Sequence, residues 1–384
     1  MGTFRAISGG EDYTAALRDI RAAVYHGLPG WHEPPEALEY QRFNPDRESF
    51  WRSHIGQTFV HEEKGRVNAR VTVFMPNTAG TAGRFGAFDC IDDADISGRL
   101  LELAAQWLLA RGASRMEGPY SFSVHEEAGV LMRGFETPAA VFMPYNPGYY
   151  AGLLRQAGFD PIRKFITYRF DIVKGGRAPD AKPRQGDGLV VRPFDVARIR
   201  LEAARLLDIY NSAFSTDPGF APLSVEDAFS LIRSLLDIGD PELTRIAEFE
   251  GNHVGFVVAV PDVNAYLYSV RGYPEMLKKV ALGWALRRGS IEQCRVVLLA
   301  VKRDFQGKAA ARGMVDSLVE AARRKGYRRA ELAVDTEDRR LRRLLGDFEL
   351  VADKEYQLFG KELAPMGLWP RVSGWSSRGV RGGR

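Results

Sequence analysis

Cysteine is nearly absent: the 384 residues hold two, Cys90 and Cys294. Two thiols cannot build a disulfide framework, and no spacing of Cys and His matches a zinc site. Both sit among apolar neighbours and read as core packing, and no metal is expected. No run approaches the ~18–20 apolar residues of a membrane-crossing helix, and the first residues lack the apolar stretch of a secretory signal, so the cytoplasm is the expected location. Excess charge is missing as well. The formal net charge is +4. The tail after residue 363 holds Arg371, Arg378, Arg381 and Arg384 with no acidic residue after position 364, which leaves the first 364 residues with 49 groups of each sign. A neutral body is a poor surface for a polyanion, so nucleic acid is not an expected partner. The tail also carries Trp369 and Trp375. Residues 364–384 read as a flexible, basic, Trp-containing segment, a composition suited to an anionic surface, and peripheral contact with the inner membrane is the expectation attached to it.

What is present is ordinary in bulk: 45% apolar and 27% charged residues, as in a folded soluble protein with two or three domains. The most informative stretch lies at residues 296–334. It reads as an apolar strand (Val296 to Val301), a short turn (Lys302 to Phe305), a loop of small residues (Gln306-Gly307-Lys308-Ala309-Ala310-Ala311), an amphipathic helix ending at Lys325-Gly326, and a second strand from Arg329. A strand that delivers small residues to a helix N-terminus builds an anion site. Free backbone N–H groups and the positive end of the helix dipole face the ligand, and small side chains let the backbone come close to a phosphate.

This order of strand, Gln/Arg-x-x-Gly-x-Gly/Ala loop, helix and strand resembles the acetyl-coenzyme A signature of the GNAT N-acyltransferases. Gln306 and Ala311 match the first and last positions, and Ala309 stands where the usual residue is Gly. The resemblance implies that acyl-coenzyme A is the donor. Val301, Lys302, Gln306, Gly307, Lys308, Ala309, Ala310, Ala311 and Arg312 would hold it. A backbone N–H at Val301 or Lys302 would receive the thioester oxygen.

Residues 175–188, rich in Gly, Pro and basic residues, read as a linker. The halves on either side, 1–174 and 189–363, follow one plan. The second half opens with a strand at 189–193 and helices at 199–214 and 224–237. A hairpin at 243–260 turns at Gly251-Asn252, a helix covers 273–288, and after the loop unit come a short helix at 337–345 and a strand at 356–359. The first half repeats it: a helix at 13–25, a hairpin turning at Lys64-Gly65, a strand at 85–88, helices at 96–111 and 149–157, and strands at 114–118 and 164–172. Gly112 and Gly158 follow the last two helices as C-caps. The expected fold is therefore α/β, an α+β mixed sheet, in two tandem GNAT-like domains. In the first, Asp92, Asp93 and Asp95 stand where a phosphate loop would lie. They suit a helix N-terminus but repel a pyrophosphate, so this half is expected to shape the acceptor pocket and not to bind coenzyme A.

Residues 117–150 form a long connection rich in Gly, Pro and aromatics, which suggests a functional loop. Together with Tyr210-Asn211, Pro222-Leu223, Glu226 and Pro261-Asp262-Val263-Asn264 it resembles a group of tandem-GNAT bacterial proteins over roughly residues 10–363. That group includes N-acyltransferases of lipid pathways such as bacterial ceramide synthases. The resemblance implies a hydrophobic amine, a sphingoid base among the options, as acceptor. An ammonium must lose a proton before it attacks a thioester; Glu127, His125 and Glu337 are the candidate bases. The tyrosine that many GNAT enzymes use to protonate the thiolate is missing, with Leu344 and Leu345 in its region, and Tyr356 is the nearest alternative. The apolar stretch 264–284 reads as core or as the wall of an acyl tunnel. Two rival readings remain open: an aminoacyl transferase that uses aminoacyl-tRNA, and a degenerate GNAT module that binds without catalysis.

Overall fold

A computed structural model describes residues 2–7, 11–33, 51, 54–77, 82–121, 127–175, 188–216, 225–306 and 309–364. Among the described residues, thirteen strands form one mixed sheet. In the first half these are β1 (Thr3–Ile7), β2 (His54–Glu63), β3 (Arg66–Pro76), β4 (Ala82–Cys90), β5 (Arg115–Gly118), β6 (Val130–Arg133) and β7 (Asp160–Asp171). The second half adds β8 (Leu189–Pro193), β9 (Thr244–Phe249), β10 (Asn252–Pro261), β11 (Gln293–Val301), β12 (Arg329–Asp335) and β13 (Val351–Glu362). The described helices are α1 (Glu11–Ile20), continued by a π turn over Arg21–Tyr25, α2 (Ala94–Leu109), α3 (Tyr150–Gln156), α4 (Ile199–Phe214), α5 (Val225–Ile238), α6 (Val263–Ser269), α7 (Glu275–Arg288), α8 (Ala310–Arg324) and α9 (Arg339–Leu344).

The sheet is a duplicated pattern. Strands β1 to β4 run antiparallel and β4 pairs parallel with β5; β8 to β11 run antiparallel and β11 pairs parallel with β12. The last strand of each half then completes the other half. Strand β13 pairs with β5, β7 pairs with β12, and β7 and β13 pair with each other, with Tyr356 opposite Phe165. The two halves are therefore joined through backbone hydrogen bonds of exchanged strands, a feature that local patterning does not encode.

Local chemistry explains most elements. Tyr13, Ala16, Leu17, Ile20 and Val24 are buried, an apolar stripe at helical spacing that continues through the π turn. In α2 the stripe is Leu100, Leu101, Ala104, Trp107 and Leu108. The β2–β3 hairpin turns on Lys64 and Gly65, both at positive φ (53° and 73°) as a two-residue turn of this hand requires. The β9–β10 turn uses the same geometry one residue earlier than expected, at Glu250 and Gly251 (49° and 78°). The long connection after β5 is not one loop. It contains β6 and a bridge between Tyr120 and Ala128. No helix among the described residues is long and apolar enough to cross a membrane.

Candidate active site

Strands β11 and β12 pair only from Gln293 opposite Arg329 to Val296 opposite Leu332. Beyond that point β11 follows β10 to Val301, while β12 follows β7 to Asp335. The strands part, and a cleft of about 910 Å³ opens between them. Residues 296–301 form one wall, and Leu332, Ala333 and Asp335 the other. Phe165, Phe214, Ala311, Leu341 and Leu344 add apolar surface.

Strand alternation decides which backbone donors face this gap. The N–H of Lys302 donates to the carbonyl oxygen of Val254, 2.8 Å away, on the β10 side. Alternation turns the N–H groups of Leu299 and Val301 the other way, into the gap that β12 has left. On that same side the Gln306 Nε2 donates to the Val301 carbonyl at 3.2 Å. Of the two backbone groups expected to receive a thioester oxygen, Lys302 is thus committed to β10 and Val301 is directed at the cleft.

Below the strand end the chain makes one tight helical turn, Arg303–Phe305, and enters α8 through Ala309, which has helical φ and ψ of −63° and −11° and no side-chain cap. The first turn of α8 therefore presents backbone N–H groups without a capping carboxylate. The corresponding end of α2 is closed: the Asp93 side chain accepts from the N–H groups of Asp95 (3.0 Å) and Ile96 (2.9 Å). The cleft is also basic. Arg163, Arg295, Arg303, Arg312, Arg340 and Arg343 line it against two acids, Asp335 and Asp338. Arg163 pairs with Asp335; Arg312 pairs with Asp316 at 2.9 Å and with Asp347. Arg340 donates to Gln306 Oε1 at 3.0 Å, tying α9 to the loop. A cleft lined by both arginines and apolar side chains suits a polyanionic ligand with an extended apolar arm.

The remaining expected residues are distributed as follows. Gly307, Lys308 and His125 lie outside the described residues. Ala310 is buried and Ala311 lines the cleft. Glu127 is half-buried, its carboxylate accepting from the Ser121 hydroxyl at 3.2 Å, and its neighbour Ala128 lines the cleft. Glu337 is exposed beyond the end of β12, where its N–H donates to Asp335 Oδ1. Tyr356 is fully buried, clustered with Leu131, Ala139 and Met143 and packed against Phe165 and Ala333. Burial, then the charge of Glu331, raise its phenol well above the usual range. The structure therefore sets Tyr356 behind Met143, Phe165 and Ala333, which face the cleft, and does not bring its hydroxyl to the cleft surface.

Arg340, Arg343, Asp335 and Asp338 line the cleft although the sequence reading did not select them as site residues. The dense basic run of α9 was the available signal. A buried ionic cluster supports the point where the strands part. Arg295 pairs with Glu331 at 3.0 Å, Arg169 reaches the same carboxylate at 3.6 Å, and Arg169 pairs with Asp353 at 2.8 Å. Burial pushes the Glu331 carboxyl up to about 7 against the pull of Arg295.

The aromatic and Asn-rich motifs act as braces. Asp262 is buried; it accepts from the Val141 N–H (3.0 Å) and from Gln293 Nε2 (2.9 Å), while Asn264 donates to the Ala139 carbonyl. Asn146 accepts from the Leu131 N–H at 2.6 Å, and Tyr149 donates to the Cys90 carbonyl. These contacts fasten the 139–149 segment of the first half to both domains. Tyr266 and Leu267 pack inward from α6, whereas Tyr273, Met276, Leu277 and Trp284 are exposed, so that stretch is neither wholly core nor a tunnel wall.

Three comparisons bear on the identity of this fold. Residues 204–347 match the model of the Acetyltransferase (GNAT) family. A bacterial ceramide synthase of Caulobacter vibrioides is 28% identical over 320 residues, 79% of this chain and 83% of that protein. Protein YghO of Escherichia coli K12 is 24% identical over 310 residues, 79% of each chain. Among solved structures, a tandem GNAT protein from the clavulanic acid biosynthesis pathway superposes with a TM-score of 0.57 at 14% identity, covering 96% of this chain and all of the other. Residues 204–347 in the second half thus match the GNAT acetyltransferase family, and the fold of the whole chain is that of a tandem GNAT protein.

Proposed function

We propose that the protein transfers an acyl group from acyl-coenzyme A to a primary amine, a sphingoid base among the candidate acceptors, to give a ceramide-type amide. The observation that carries this reading is the Val301 N–H directed into the gap between β11 and β12, a few residues before the uncapped start of α8. In this reading the pyrophosphate lies against residues 306–312, with Arg303 and Arg340 nearby, and the pantetheine arm runs along β11, whose outward backbone groups satisfy its amides. The thioester oxygen accepts from Val301 N–H. That donor is positioned before the reaction and strengthens as the oxygen gains charge. The amine enters from the first half, loses its proton to a carboxylate or His, with Glu127, His125 and Glu337 as candidates, and attacks the carbonyl carbon. The tetrahedral intermediate gives the remaining proton of its ammonium nitrogen to the departing sulfur or to water as it collapses and expels coenzyme A, a fair leaving group without a dedicated acid, which accords with Leu344 lining the cleft where many GNAT enzymes carry a tyrosine.

In the same reading, residues 189–363 bind the donor and residues 1–174 shape the acceptor pocket. The likeness to a ceramide synthase supports a long-chain amine over a polar one. The basic cleft mouth suits a diphosphate as well as a tRNA end, so the aminoacyl-tRNA reading stays the comparison arm of the test. Purified protein would be given acyl-coenzyme A of several chain lengths with sphinganine, a short polar amine or no amine, reading thiol release and amide mass. Thiol release that depends on sphinganine, with the matching amide, supports the proposal. Release with no amine dependence, or transfer only from aminoacyl-tRNA, contradicts it.

A further inference from the structure

Helix α7 has two opposed apolar faces. Ala285 is buried, and Leu282 and Leu286 pack with Tyr266, Val297 and Phe142 against the body of the protein. On the other side Met276, Leu277, Val280 and Trp284, joined by Tyr273 just before the helix, fall within about 100° of arc at 3.6 residues per turn. These five are between 52% and 78% exposed. A helix apolar on both sides is ordinarily buried on both, and a contiguous exposed apolar stripe marks a surface with a partner.

The charges beside the stripe identify the partner. Arg271, Lys279, Arg287 and Arg288 are exposed around it and Lys278 is half-buried, while residues 271–288 contain one acid, Glu275. Arg288 lies over the Trp284 ring at 4.1 Å and Arg271 over Tyr268 at 4.1 Å, holding guanidinium groups at the edge of the stripe. Apolar side chains that include Trp, Tyr and Met, rimmed by cations, match the boundary between acyl chains and anionic headgroups. A second copy of this face would bring the same cations together, and the basic tail carries the same sign.

We propose that the outward face of α7 seats on an anionic lipid surface, with Met276, Leu277, Val280 and Trp284 entering the headgroup layer and Arg271, Lys279, Arg287 and Arg288 on lipid phosphates. Because the inner face of α7 packs on Val297, a wall residue of the cleft, this docking holds the cleft beside the bilayer, where an amine with a long alkyl chain is concentrated. The inference does not depend on the identity of the acyl donor. It also differs from contact through the tail.

The test is co-sedimentation of the full chain with vesicles of phosphatidylethanolamine and phosphatidylglycerol, against vesicles of phosphatidylcholine, at low and high salt. Binding to the anionic vesicles is expected, weaker at high salt. Leu277→Asp/Val280→Asp and Lys279→Glu/Arg287→Glu should each lower partitioning roughly tenfold or more, with the melting temperature unchanged, whereas truncation after residue 364 should leave most of it. No binding of the unaltered chain, or binding that only the truncation removes, overturns the proposal. So does a variant that melts earlier without any vesicle binding of the parent, which would assign the stripe to another part of this chain.

Discussion

Arg295 and Glu331 face each other across the parallel pair β11–β12, one register step before the strands part, and form a buried ion pair at 3.0 Å. The pair sits beneath the cleft, with Arg295 among its lining residues. Burial raises the Glu331 carboxyl to about 7, above its ordinary value of 4.5. A carboxyl with a raised folded-state pKa favours folding below the unfolded value, and that contribution is lost as pH rises from about 4.5 through about 7. Glu331→Gln removes the titration. Urea unfolding at several pH values should show the stability of the unaltered chain relative to this variant falling by roughly 3 kcal/mol across that window. A difference that is flat with pH would contradict the assignment.

Asp93→Ala should leave the N-terminus of α2 without its cap and cost about 1 kcal/mol of stability. Since the donor is assigned to the other half, thioester affinity should not change. Loss of donor binding in this variant would place the donor in the first half after all.

Arg303 is exposed at the mouth of the cleft. Arg303→Glu should weaken coenzyme A thioester binding by roughly 1 kcal/mol or more at low salt, with the deficit shrinking as salt is added. Titration at two ionic strengths checks this; equal affinity at low salt would remove Arg303 from the phosphate site.

Val301→Pro deletes the backbone N–H aimed at the cleft without removing a ladder bond to β10, because that N–H faces away from β10. The turnover rate should fall by about 10²-fold or more with thioester affinity nearly unchanged. Melting and circular dichroism would confirm folding. A variant that binds donor and turns over normally would exclude Val301 as the oxygen's donor.

The unit from Val296 to Val334 was legible because it is local: an apolar strand, small loop residues and an amphipathic helix each announce themselves within a few residues. The hairpin at Lys64-Gly65 and the Gly caps at Gly112 and Gly158 followed from the same short-range rules, and all three glycines hold positive φ. The exchange of β7 and β13 was not legible, since pairing partners some 190 residues apart leave no local periodicity. Most of β13 went unread for a related reason. Buried Lys354 looks like a surface residue in sequence, yet its ammonium donates to Gly134 and Thr137 carbonyls and the Thr137 hydroxyl. Tyr356 was named for its position in the chain, and its burial depends on packing by Met143 and Leu131 from the first half. Val301 lines the cleft at the end of an apolar strand that the sequence pattern marks, whereas Arg340 and Arg343 reach the cleft only through the placement of α9.

The central claim is that a coenzyme A thioester binds where β11 and β12 part. Calorimetric titration with acetyl-, octanoyl- and palmitoyl-coenzyme A, on the unaltered chain and on Gln306→Glu/Lys308→Glu, tests it most directly. We expect saturable binding that varies with acyl length and is lost in the double variant, whose two added carboxylates repel a pyrophosphate. Absence of binding by every thioester, or equal binding by the double variant, would contradict it.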